Sequence, residues 1–145
     1  MRRTALTWLV IGLAGWVLLP WYMAAGGFWR FEWILHLAGD ARSGLGWALG
    51  GRGWLWLPAL GFVGAGLTLA LARSQLGAAR GLVASGAGGL GLLVGEATLV
   101  GTRFGLFEGE NPGLGAGALV TAAALLFLTT TGISGLGKGR GDAFV

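Results

Sequence analysis

Four stretches of this chain are apolar for long enough to cross a lipid bilayer, and that length limits what the chain can fold into. A hydrocarbon core is about 30 Å thick and a helix rises about 1.5 Å per residue, so a crossing takes roughly 20 apolar residues. Residues 4–25, TALTWLVIGLAGWVLLPWYMAA, carry no charge and one proline, Pro20. Residues 54–72 and 114–136 are equally free of charge. Residues 81–102 form the weakest of the four, with seven glycines and one carboxylate, Glu96. Glycine adds little apolar surface, and a charge at mid-membrane costs about 2.5–3.5 kcal/mol on insertion scales, so this span is expected to need its neighbours. The first stretch is too long for the apolar core of a signal peptide, and Trp21 and Tyr22 near its end suit an interfacial anchor, so it is expected to be retained.

Composition agrees with a membrane protein. Hydrophobic residues make up 54% of the chain and charged residues 11%, against about a quarter charged in soluble domains. The 31 glycines show no collagen-like period, and with only 3 prolines a proline-rich disordered chain is excluded. The absence of cysteine rules out disulfides, thiol catalysis and cysteine metal sites. The net charge of +4 comes from basic residues scattered singly and in pairs beside apolar runs, which is a topology pattern and offers no stripe to track nucleic acid. The expected fold is therefore a single all-α membrane domain over residues 1–145 with about four transmembrane helices.

Orientation follows from the basic residues in the short connections. Arg2, Arg3, Arg73, Arg80, Lys138 and Arg140 fall on one side, and Arg30, Arg42, Arg52 and Arg103 on the other. Glu32, Asp40, Glu108 and Glu110 join the second group, whereas only Asp142 joins the first. Both termini are expected in the cytoplasm.

Between the first two spans, six of the eight tryptophans lie within residues 21–56. Indole rings settle at headgroup level, so residues 28–37 are expected to form a short interfacial amphipathic helix. His36, the only histidine, lies in it with Asp40 nearby, and that pair is too sparse for a metal or proton-relay site.

In the third span Ala87, Gly91 and Gly95 recur every four residues. Small residues at that spacing let helices approach closely, so these three are the candidate packing face, with Gly61, Ala65, Gly117 and Thr121 available opposite. Glu96 is the only ionisable residue inside a span, which makes it the candidate intramembrane polar site. In a structural role it is protonated, pairs with Arg103 seven residues on, or meets Thr129 to Thr131. In a functional role it belongs to a proton or cation path. No catalytic, cofactor or metal constellation is present: phosphate-loop, zinc-protease and nucleophile-elbow patterns are missing, and the GxGxxG string of Gly86, Gly88 and Gly91 has no strand before it. Enzymatic activity and a bound cofactor are not expected.

Read together, VIGLAGWVLLPWY, FWRFEWIL, WLWLPAL and NPGLGAGALVTAAALLFLTTTGISGLGKGRGDAFV resemble the N-terminal membrane region of bacterial ABC transporter permeases of the iron(III) type. In that family extra spans precede the permease core, and a Gly-Asp-x-Phe-Val stretch like Gly141 to Val145 leads into the next span. The resemblance implies a non-enzymatic importer component whose partners are the lipid bilayer, other permease helices and a nucleotide-binding ATPase subunit. It also implies that this chain is an N-terminal piece or a split subunit, because the family's E-A-A-type coupling segment has no match here. The alternative is a free-standing oligomeric four-helix membrane protein, a small transporter or channel working through Glu96.

Overall fold

The computed structural model describes the backbone of residues 1–19, 22–23, 57–104 and 113–141. Among these residues the chain is helical: α1 spans Arg2–Leu18, α2 Leu57–Leu71, α3 Gln75–Phe104 and α4 Ala116–Gly141. A two-residue antiparallel bridge pairs Tyr22 with Leu114 and Met23 with Gly113, tying the exit of α1 to the entry of α4. The expected interfacial helix at residues 28–37, with His36 and Asp40, lies outside the described residues.

The helix ends differ from those expected, for local reasons. α1 stops at Leu18 and not at residue 25, because the residue before a proline is driven out of the helical region; Leu19, before Pro20, is extended at φ −95° and ψ 149°. α2 begins at Leu57 with Pro58 in its first turn, where the missing N–H costs nothing. α3 starts at Gln75, six residues before the expected boundary. Ser74 caps it by accepting a hydrogen bond from the Gly77 N–H at 3.0 Å, and the helix runs on through the exposed Arg80. α4 likewise starts at Ala116, after the bridge, and continues past residue 136.

Among the described residues two helices, Gln75–Leu99 within α3 and Ala116–Gly137 within α4, are long and apolar enough to cross a membrane. Of the four spans expected, two are matched by helices of this kind among the described residues. α2 has 15 residues, about 22 Å at about 1.5 Å each, and the 17 residues of α1 reach little further. The glycine-rich third span, judged the weakest from its sequence, is the longest helix described.

The helices run alternately up and down. α3 packs along α2 on one side and α4 on the other, and α4 also packs along α1. α1 and α2 meet more sparsely, at Gly12 against the Phe62 ring and at Arg2 against the end of α2. On α3 the inward series is Ala79, Leu82, Gly86, Gly89, Leu93 and Glu96; on α4 it is Ala118, Thr121, Leu125, Leu128 and Gly132. Alternating steps of three and four are the period of left-handed, knobs-into-holes packing. Leucines alternate with small residues along these series, and at the glycines the backbones approach closely. A Cβ on Gly61 would lie 2.8 Å from the Gly89 Cα, and one on Gly86 would lie 2.7 Å from the Leu125 carbonyl oxygen.

Large apolar side chains also cover much of the outside. Leu6, Val10, Leu60, Val63, Leu67, Val94, Leu99, Leu126, Phe127 and Ile133 are all exposed. Phe127 stacks on Trp8 across α1 and α4, with ring centroids 4.0 Å apart and planes 5° from parallel.

Candidate functional site

Glu96 is 4% exposed and occupies the last place in the inward series of α3, and it is partnered there. Its depth follows from the register with α4. Gly86 faces Leu125 and Thr129, and Gly89 faces Leu125. Two further turns along α3 bring Glu96 level with Gly117 and Ala118, in the first turn of α4. A helix N-terminus carries unpaired N–H groups and a partial positive charge, an environment that favours a carboxylate. Because α3 begins at Gln75, Glu96 sits about 31 Å from that end at about 1.5 Å per residue, toward the far boundary of the helix and not at its middle.

That placement removes one expected partner. Thr129 lies opposite Gly86, ten residues and about 15 Å along α3 from Glu96. Thr129 donates to the Leu125 carbonyl at 2.8 Å, and Thr130 and Thr131 donate to the Phe127 carbonyl at 3.1 and 2.7 Å, so all three are satisfied within α4. Arg103 is in α3, two turns beyond Glu96, and its side chain lies outside the described residues.

Thr121, in the same interior series, was assigned only to packing by its sequence. It is fully buried, and its Oγ1 has no hydrogen-bond partner among the described residues. A buried unpaired hydroxyl is costly, which marks Thr121 as the second polar position of the interior.

Ala87, Gly91 and Gly95 face outward. All three are exposed, and a Cβ on Gly91 or Gly95 would meet nothing within 4 Å. The internal contacts belong to Gly86 and Gly89, one position away. A strict four-residue step drifts around a helix, while the seam alternates three and four, so the two rows diverge. Gly61, Ala65, Gly117 and Thr121 are all buried.

At the opposite end of the bundle Arg2 reaches across to α2. Its Nη2 donates to the Leu69 carbonyl at 3.0 Å and, at 3.4 Å, to the Ala72 carbonyl, covering C-terminal carbonyls that have no helical partner. Gly135 of α4 faces Met1 there, so the start of α1, the α2–α3 link and the last part of α4 share one end. Four exposed arginines, Arg2, Arg3, Arg73 and Arg80, gather at this end, and the only carboxylate among the residues with described side chains is Glu96, at the other.

No protein-family model, curated protein or solved structure matches the chain.

Proposed function

We propose that the chain is a non-enzymatic, multi-pass component of the bacterial inner membrane that contributes accessory helices to an ABC importer permease of the iron(III) type. The observation carrying the membrane part is the exposed apolar surface: Leu60, Val63, Leu67, Val94, Leu99, Leu126, Phe127 and Ile133 face outward, while glycines sit at the closest helix contacts. In water such a surface would drive aggregation, whereas lipid tails accept it at no cost, and small residues are what lets helices pack when no hydrophobic force separates protein from solvent. From Gly81 to Leu99, about 27 Å at about 1.5 Å per residue, α3 exposes no charge, which suits the thickness of a hydrocarbon core.

In this arrangement the arginine-rich end faces the cytoplasm with both termini, as basic residues favour. The importer assignment is supported by the resemblance of residues 10–22, 28–35, 54–60 and 111–145 to the permease N-terminal region. The outward stripe of Ala87, Gly91 and Gly95 supports it further, since it gives a permease helix a close-packing surface on α3.

The test is co-purification of the tagged full chain in mild detergent, with uptake of ferric iron measured in cells lacking it. The proposal expects a permease core and an ATPase subunit in stoichiometric amounts and impaired uptake. A chain that purifies alone and whose loss leaves uptake unchanged contradicts the importer assignment. A second reading, a free-standing oligomer that conducts through Glu96, is favoured by the burial of that carboxylate, and Glu96→Gln separates the two.

A further inference from the structure

The arginine-rich end holds an open cavity of about 520 Å³, lined by Arg2, Ala72, Arg73, Ser74 and Gln75 among others. Among the described residues its lining includes two arginines, a serine and a glutamine, and no acidic residue. Arg2 is fixed in place by the α2 carbonyls that its Nη2 meets, which leaves the rest of its five-donor fork for another partner. Ser74 and Gln75 stand at the N-terminus of the 30-residue α3, so the positive end of that helix adds to the field of the two arginines. Planar forks and a hydroxyl at the mouth of a helical bundle are the donor set that recognises tetrahedral oxyanions.

We propose that this cavity binds a phosphate group. In the membrane reading its position at the basic end puts it at headgroup depth, where the phosphodiester of an anionic phospholipid is the most concentrated source; a free phosphate ion offers the same chemistry. Arg2 supplies a preset fork, Arg73 the second charge, and Ser74 and Gln75 the neutral donors. The cavity itself does not depend on the importer assignment.

The experiment uses the full chain purified in a neutral detergent and titrated, by native mass spectrometry, with short-chain phosphatidylglycerol, short-chain phosphatidylcholine and inorganic phosphate. The expected result is one phosphatidylglycerol per chain, bound in preference to phosphatidylcholine, with Arg73→Gln weakening it about fivefold and Arg73→Lys recovering most of the loss. Arg3→Gln and Arg80→Gln remove the same charge outside the cavity and are expected to change affinity less than about twofold. Binding of inorganic phosphate with the same dependence on Arg73 supports the site and identifies the free ion as its occupant. Equal losses from all three arginine-to-glutamine variants, or no binding in either arm, overturn the proposal. Because these titrations are made in detergent, their failure is independent of whether the chain spans a bilayer or joins an importer.

Discussion

Gly86 and Gly91 stand five residues apart on α3 and are expected to respond oppositely to the same added methyl group. At Gly86 the methyl would press on the Leu125 carbonyl oxygen and, at 2.8 Å, on the Thr129 nitrogen, backbone atoms that cannot turn aside. Gly86→Ala is therefore expected to destabilise the bundle by about 1–3 kcal/mol, and Gly91→Ala to change it by less than about 1 kcal/mol. Unfolding in mixed micelles followed by circular dichroism measures both. If Gly91→Leu leaves that stability intact but breaks association with a partner helix, the outward stripe is the assembly surface. Thr121→Val keeps shape and removes an unpaired buried hydroxyl, so stability should hold or rise by about 1 kcal/mol; a clear loss would mean that the hydroxyl has a partner. Glu96→Gln should cost about 1 kcal/mol or less if the carboxylate serves packing at the start of α4. A well-folded Glu96→Gln protein with transport abolished would favour the conducting reading.

At the scale of elements, what the sequence made legible was the helical character and the approximate placing of four helices. Boundaries were hidden where a local device outweighed hydropathy. Ser74 as a cap extends α3 back through Arg80, and Pro20 ends α1 early although the apolar run continues. The inward face of α3 was legible in principle: Ala79, Leu82, Gly86, Gly89, Leu93 and Glu96 keep alternating steps of three and four, whereas Ala87, Gly91 and Gly95 do not. Many glycines obscured it, because several spacings of small residues coexist on one helix. The cap that Arg2 provides for α2 could not be read at all, since it joins residues 67 and 70 positions apart. Arg2→Ala is expected to fray the end of α2 and lower stability by about 1 kcal/mol. Hydrogen exchange at Leu71 and Ala72 should rise, with little change at Phe62; uniform exchange along α2 would contradict the capping role.

For the whole molecule, the alternating helix directions have a consequence that hydropathy alone cannot deliver. They place the N-terminus of α1, the α2–α3 link and the later part of α4 at one end, and the Tyr22–Leu114 bridge at the other. If the bundle lies across a bilayer, residues at the first end must all be reached from one side. Since the chain contains no cysteine, single cysteines report position without background. The decisive measurement is labelling of Arg3→Cys, Leu76→Cys and Asn111→Cys with an impermeant maleimide, in sealed vesicles of known orientation and again after permeabilisation. The proposed membrane bundle predicts that Arg3→Cys and Leu76→Cys react only from the cytoplasmic side and Asn111→Cys only from the opposite side. Labelling of Arg3→Cys and Leu76→Cys from opposite sides, or of all three from one side with the chain released by alkaline carbonate, would contradict it.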